Sequence, residues 1–347
     1  MTTFWASILV FGMLIFFHEL GHFAIAKLVG IKVHEFSLGF GPKLVGFSRA
    51  DTDYNLRLFP LGGFVRMAGM DPEEEEIEDG SGFGEKSVLQ RVSVIFAGPL
   101  MNFVLAALLL ASIFVFHGVP VYSTKIEEVL PDKPAAQAGF QAGDRIVAID
   151  GETVEQWERA VEIISGSPGE MLQVTVKRND AKVTLDVVPE VREDGQGWIG
   201  IQPEPPHFER QNPLSAVMQG VKYTVQVTFL IFDFIGKMIF GDAPADLGGP
   251  VRVVYEINRA AELGFVYLLQ LAAFLSINLG LFNLFPIPAL DGSRIIFLLL
   301  ELIRGKPVDS EKENFIHLVG FGLLLMLIVF ITYNDVLQLF GNNVPVP

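Results

Sequence analysis

The sequence predicts a polytopic α-helical membrane protein of about four transmembrane helices, with a membrane-associated β-hairpin and one compact α+β module set between the helices. Three observations carry this. Half of the 347 residues are hydrophobic and only 19% are charged, giving a mean hydropathy of +0.43, too apolar for a chain whose surface meets only water. Several segments exceed the roughly 20 apolar residues that a bilayer requires. Between the second and third of them the pattern changes to short alternating runs broken by Gly, Asp and Pro, the mark of a small folded module.

The first span covers about Phe4 to Ala26, with no charged residue before His18 and a lysine, Lys27, after it. A cleavable leader would need a basic residue ahead of the apolar run and a small-residue site behind it, so this helix is expected to be retained. From 35 to 67 the period is two: Phe36, Leu38 and Phe40 share one face, and Tyr54, Leu56 and Leu58 another. That predicts a hairpin dipping toward the bilayer, tolerable where it packs on protein or lines a wet cavity, with the exposed edge at Leu38 or at Leu56. The stretch 71–85 begins "DPEEEEIEDG" and is expected to be a solvated loop. A second span at about Val92 to Phe116 closes the first region, 1–116.

The α+β module occupies 121–200, with strands at 145–149, 172–177 and 182–188, helices at 134–138 and 154–164, and a turn at Asp150-Gly151. In 201–263 the apolar run 221–240 is interrupted by Lys222, Asp233 and Lys237, which reads as an amphipathic helix lying at the interface. The last region, 264–340, holds a third span at 265–300 with a break inside it and a fourth at 315–333. Lys27, Lys32 and Lys43, Lys86 and Arg91, and Arg304, Lys306 and Lys312 cluster in two of the connections. By the positive-inside rule those connections are cytoplasmic, and the termini and the module lie outside. The net charge of −15 argues against a nucleic-acid partner, and the absence of cysteine excludes disulfides and thiolate metal sites.

Within the first span the sequence reads "HELGHF". Ionisable side chains in an apolar helix are costly and mark a functional site. His18 and His22, at i and i+4, direct two imidazoles toward one point. Neutral imidazoles suit zinc, and Glu19 can reach a metal-bound water as general base. Zinc needs a third protein ligand. The remaining histidines fall at or beyond span ends, whereas the third span holds one acid, Asp291, behind Pro286 and Pro288. Prolines interrupt a helix, and an interrupted helix at membrane depth marks a site, so Asp291 is the expected third ligand. Asn278 and Asn283 lie in the same segment, where an amide serves either a substrate carbonyl or helix packing.

The stretch "AAQAGFQAGDRIVAIDG" resembles the helix-turn-strand of PDZ domains. That resemblance implies either a groove that takes an extended peptide as an added strand or a module that excludes bulky substrates by size. "HELGHF", "FAGPLMNF", the PDZ-like insert and "NLFPIPALDG" together resemble the site-2 protease family of intramembrane zinc metalloproteases, bacterial regulator-of-sigma-E protease type, from residue 1 to about 335. The resemblance implies zinc held by His18, His22 and Asp291, with Glu19 as catalytic base. It also implies substrate contacts from Asn283, Pro286 and Pro288, and from a Gly-x-Gly loop at Gly39 and Gly41. Its substrates would be single-span proteins in a bacterial inner membrane, such as an anti-sigma factor already trimmed outside, or remnant signal peptides. Members with two PDZ domains in tandem differ from the single module seen here. Two other classes fit part of the pattern: a metal transporter, which would not need Glu19 or a peptide-binding module, and a non-catalytic zinc-binding receptor, which would survive loss of Glu19.

Overall fold

The computed structural model describes residues 2–70, 80–192, 194–241 and 248–340, so most of the acidic stretch, 71–79, lies outside the described residues. In chain order the elements are α1 (Thr2–Leu28), β1 (Val33–Arg49), β2 (Thr52–Met67), α2 (Val88–Phe116), β3 (Val119–Val121), β4 (Ile126–Val129), α3 (Pro134–Ala138), β5 (Arg145–Ile149), β6 (Glu152–Thr153) and α4 (Trp157–Ser165). They continue with β7 (Leu172–Arg178), β8 (Ala181–Val187), β9 (Glu190–Val191), β10 (Gly197–Trp198), β11 (Ile201–Pro203) and β12 (His207–Glu209), and then α5 (Pro213–Phe240), α6 (Pro250–Leu263), α7 (Phe265–Asn283), α8 (Asp291–Arg304) and α9 (Ser310–Phe340). Two compact units result, one from Met1–Ile113 with Asn212–Pro347 and the other from Phe114–Gln211.

In the helical unit, small and branched residues of α1, α2, α6 and α7 meet in one core that includes Val10, Leu14, Leu105, Ile257 and Leu268. A second core at the other end of α1 joins Ala26 and Val94 to Val33 and Met67, which fixes the two ends of the β-region against the helices. Among the described residues, α1, α2, α5, α7 and α9 are long and apolar enough to cross a membrane. That is one more than the four spans expected from sequence, because α5 begins at Pro213 and adds about two turns of helix ahead of the run read at 221–240. Its small face is buried: a Cβ at Gly220 would lie 2.4 Å from the Ala107 carbonyl. Farther along, Phe232 meets Phe285 with ring centroids 6.0 Å apart. The expected third span is two helices, α7 and α8, separated by 284–290, where both prolines sit.

The region 35–67 departs from a simple hairpin. Leu38 is paired with Leu56 on one side and Gly63 on the other, and Leu56 is paired with both Leu38 and Val45. The two long strands therefore fold over on themselves into four rows, ordered 43–49, 52–57, 35–38 and 63–67. Neither Leu38 nor Leu56 lies on an edge; the edges are 43–49 and 63–67. The fold-over occurs where Gly39 and Gly41 adopt φ of 87° and 84°, a region that costs glycine little and other residues more.

An ionic cluster fastens the two inner rows. Arg57 donates to Glu35 Oε1 at 2.5 Å, to Ser37 Oγ at 3.2 Å and to the Gly41 carbonyl at 2.9 Å, while Asn55 Nδ2 donates to Glu35 at 2.6 Å. Burial pushes the Glu35 carboxyl up, but the hydrogen bonds from Ser37, Arg57 and Asn55 and the Arg57 charge together hold it at about 2. The far half of the sheet stays apolar and exposed, with Phe40, Leu44, Val45, Phe47 and Phe59 each about half or more accessible.

The second unit is PDZ-like. A sheet in the order β6-β5-β7-β8 and the separate pair β4-β11 enclose a core of Ile126, Phe140, Ile146, Val174, Val176 and Ile199, against which Trp157 of α4 packs. Asp150 and Gly151, at φ 48° and 83°, make the tight turn between β5 and β6. Helix α4 starts at Trp157, three residues later than the periodicity suggests. Asp144, 1% exposed, accepts from Arg178 Nε and Nη2, both at 2.7 Å. Burial raises this carboxyl, and the hydrogen bonds from Arg178 and from the Gln141 N–H, with the guanidinium charge, together hold it below the usual range.

Candidate metal centre

Three side chains from two distant parts of the chain converge. His18 Nε2 lies 3.2 Å from Asp291 Oδ2, His22 Nε2 lies 3.4 Å from the same oxygen, and the two Nε2 atoms are 3.2 Å apart. Ligand atoms about 2.0–2.1 Å from a tetrahedral zinc would be separated by about 3.3–3.4 Å, so the spacing of the triangle fits that ion. Asp291 Oδ2 is buried without a hydrogen bond of acceptable geometry, an orphaned acceptor that a cation would satisfy. Among the described residues this is the cluster of three metal-binding side chains whose ligand atoms lie close together. The centre opens into a cleft of about 250 Å³ lined also by Glu19, Gly63, Phe64, Val65, Ala289 and Arg294.

Local sequence explains the convergence. Helix α1 and helix α2 approach closely enough that a Cβ at Gly21 would lie 2.2 Å from the Ala97 carbonyl, and a Cβ at Gly98 would lie 2.3 Å from His22 Nε2. Both positions therefore require glycine. This approach lets the Val94 carbonyl of α2 stand 2.9 Å from His22 Nδ1, which places the proton on Nδ1 and leaves Nε2 free to bind a metal. Pro99 in the interior of α2 has no N–H, so the carbonyl of Ile95 loses its helical partner, and Ile95 also borders the cleft.

Asp291 is the first residue of α8, where a carboxylate is favoured by the helix dipole. Gly292 lets this end fold tightly against the preceding loop, since a Cβ there would lie 2.3 Å from the carbonyls of Leu284 and Phe285. Ala289 has φ of 77°, an unusual conformation for a residue with a side chain, and its N–H donates to His317 Nδ1 of α9 at 3.0 Å. A Cβ on Gly320 would lie 2.2 Å from Pro288, so α9 grips the ligand loop at two points.

The other residues singled out from sequence lie elsewhere. Asn283 ends α7, and Pro286 and Pro288 belong to the loop that leads to Asp291; none of the three lines the metal cleft. Gly39 and Gly41 form the fold-over of the sheet beside Phe59 and also lie outside the cleft lining. Sequence reasoning missed Asn102, whose side-chain amide is 3.1 Å from His18 Nδ1, although a buried amide in an apolar span was a usable signal. It also missed the row 63–67, which borders the cleft.

Fold and site together define a membrane-embedded metallopeptidase: a His-Glu-x-x-His helix, a remote aspartate on a broken helix, and a sheet edge beside them. The chain belongs to peptidase family M50, whose model matches residues 6–327. It is 36% identical to the zinc metalloprotease RasP of Geobacillus kaustophilus in an alignment 414 positions long, gaps included, covering 96% of this chain and 97% of that one. It is 35% identical to the regulator of sigma-W protease RasP of Bacillus subtilis in an alignment 420 positions long, covering 96% and 98%. Among solved structures it aligns with the PDZ domain of an SdrC-like protein from Listeria innocua at 23% identity and a TM-score of 0.22, covering 27% of this chain and all of that one.

Proposed function

We propose that this chain is a zinc-dependent endopeptidase that cuts peptide bonds within transmembrane segments of single-span membrane proteins, with His18, His22 and Asp291 holding the metal and Glu19 acting as the base. The observation that carries this is the cleft itself, where the three ligand atoms, the Glu19 carboxylate and the sheet row 63–67 face one space. Zinc, when bound, supplies Lewis acidity toward a carbonyl oxygen and acidifies water. Glu19 takes the proton of the attacking water on its carboxylate and returns it to the leaving amine. Gly63 is tight against Glu19, since a Cβ there would lie 2.8 Å from Glu19 Cγ, which limits where that carboxylate can swing.

A transmembrane helix hides its carbonyls in its own hydrogen bonds, so the scissile segment must first be extended. Among the described residues the row 63–67 is paired only on the side of 35–38, and it borders the cleft, so it can receive an extended segment as an added strand. The Gly39–Gly41 fold-over and the Asn283, Pro286 and Pro288 segment would guide that segment on either side. The exposed apolar half of the sheet supports immersion of this region in the bilayer.

Basic residues around 27–43, 86–91 and 304–312 support a cytoplasmic position for those connections, with the termini and PDZ-like unit outside the inner membrane. The charges of α5 favour an interfacial helix, although its length and composition also suffice to cross. In the PDZ-like unit, among the described residues, β11 pairs with β4 alone, leaving an edge for an extended peptide or a trimmed ectodomain. The B. subtilis relative is named for regulating sigma-W; anti-sigma-type membrane proteins already cut outside, and remnant signal peptides, are the substrates proposed here. Purified protein in nanodiscs, given a labelled transmembrane peptide, should cleave it in a zinc-dependent manner and lose all cleavage in Glu19→Gln. Cleavage surviving in that variant would refute the assignment of the base.

A further inference from the structure

We infer that Asn102 positions the His18 ligand, through a hydrogen bond in which the amide oxygen accepts from His18 Nδ1–H. The inference rests on the reading of His18 as a metal ligand and adds a residue to it.

The atoms leave one consistent arrangement. His18 Nε2 faces Asp291 Oδ2 and His22 Nε2, so the metal would take the lone pair on Nε2. A neutral imidazole then carries its proton on Nδ1 and can only donate from there. The group 3.1 Å from Nδ1 is placed as Asn102 Nδ2, which also only donates, and two donors do not bond. The oxygen of the same amide is buried without any partner. The O and N ends of an amide have nearly the same shape and are assigned from their hydrogen bonds. Turning the amide half a revolution brings Oδ1 to Nδ1–H, which replaces two facing donors with a hydrogen bond and gives the oxygen its partner.

The position of Asn102 is rigidly determined. The residue is fully buried in α2. Ser276 Oγ of α7 donates to its carbonyl at 2.8 Å, and Gly280 of α7 stands against its Cβ, where a Cβ of its own would be 3.3 Å away. Each histidine thus has an acceptor on α2 for its Nδ1 proton: the Val94 carbonyl for His22 and the Asn102 side chain for His18. Such outer acceptors set the ring's tautomer and direction and commonly contribute 10–100-fold to metal affinity. The VIFAGPLMNF stretch, 94–103, then has a physical reading in which Val94, Gly98 and Asn102, spaced by four along one face of α2, all serve the two histidines of α1.

The test is zinc affinity of the full-length protein in nanodiscs, measured by competition with a chelator, for wild type, Asn102→Leu, Asn102→Asp and His18→Ala. Leucine is close in size and lacks an acceptor, so its zinc affinity should fall 10–100-fold while the metal-free protein unfolds at the wild-type temperature. Aspartate offers an oxygen at the same place and should restore most of the affinity. Should Asn102→Leu fail to fold, Asn102→Ala carries the same comparison. Wild-type affinity without the acceptor would overturn the inference, as would equal losses in the aspartate and leucine variants, which would mean that Asn102 only packs. His18→Ala separates the two levels: if it keeps zinc, the metal centre itself is wrongly assigned, whereas if it loses zinc and Asn102→Leu does not, only the positioning role fails.

Discussion

Replacing Gly98 by alanine tests the metal centre without touching any proposed ligand. The added Cβ would stand 2.3 Å from His22 Nε2 and 2.4 Å from its Cε1, and ordinary contact begins near 3.4 Å, so the ring must retreat by about 1.1 Å. His22 has little room to do so. It is 7% exposed, and its Nδ1 is tied to the Val94 carbonyl on the same helix that carries the new methyl. A metal site tolerates errors of about 0.2 Å in ligand distance, so a shift several times larger removes one of three protein ligands. Zinc affinity should fall by at least about 100-fold, the upper end of what loss of a mere outer partner does. Gly12→Ala on α1, where nothing lies within 4 Å of the added atom, should leave affinity unchanged. The assay is zinc retained per chain after a graded chelator challenge. Wild-type retention in Gly98→Ala would refute the placement of His22 Nε2 in the coordination sphere.

Three further outcomes are expected. Proline at Phe64 or at Val65 tests the sheet edge: adjacent residues point their N–H groups to opposite sides, so one of the two variants should lose cleavage of a helical substrate far more than of a pre-extended one, with zinc retained. Equal losses for both substrates in both variants would make row 63–67 a support only. The Glu35 carboxyl, held at about 2 against an ordinary 4.5, stabilises the folded state above pH 4.5 and loses that contribution as pH falls toward 2, about 3 kcal/mol in all. Acid unfolding monitored in detergent should therefore be flatter in Glu35→Gln, and an unchanged acid limb would contradict the cluster's role. Asp335 of α9 accepts the backbone N–H groups of Gly249 at 3.1 Å and Arg252 at 3.0 Å, capping α6. Asp335→Ala should cost about 1–2 kcal/mol of stability, read as a lowered thermal midpoint, and an unchanged midpoint would show the cap to be idle.

What could be read from sequence was what local period and chemistry determine. His18, Glu19 and His22 follow from one helical turn, and Asp291 from a broken span with one acid in it. A compact module after the second span follows from its turns, since Asp150-Gly151 admits few alternatives to a tight reversal, but the unit runs from Phe114 to Gln211, wider than the expected 121–200. The doubled sheet was not legible, because alternation runs on through 33–49 and says nothing of which partners a strand finds on its two sides. Only the positive φ at Gly39 and Gly41 folds that strand back, and glycine in sequence announces freedom without its use. The services of Val94, Gly98 and Asn102 stayed hidden because they depend on how closely α1 and α2 approach. Helix α5 was read as starting at 221 because its first turns carry no strong apolar run, and its buried small face at Gly220 becomes visible only beside Ala107.

X-ray absorption at the zinc edge, on the full-length wild-type protein loaded with one equivalent of zinc, examines the metal centre directly. The expected first shell is four-coordinate, with two imidazole nitrogens and oxygen donors at about 2.0–2.2 Å and the multiple-scattering pattern of two histidine rings. A shell of six oxygens, or one with fewer than two imidazoles, would contradict the assignment of His18, His22 and Asp291 as the metal's ligands.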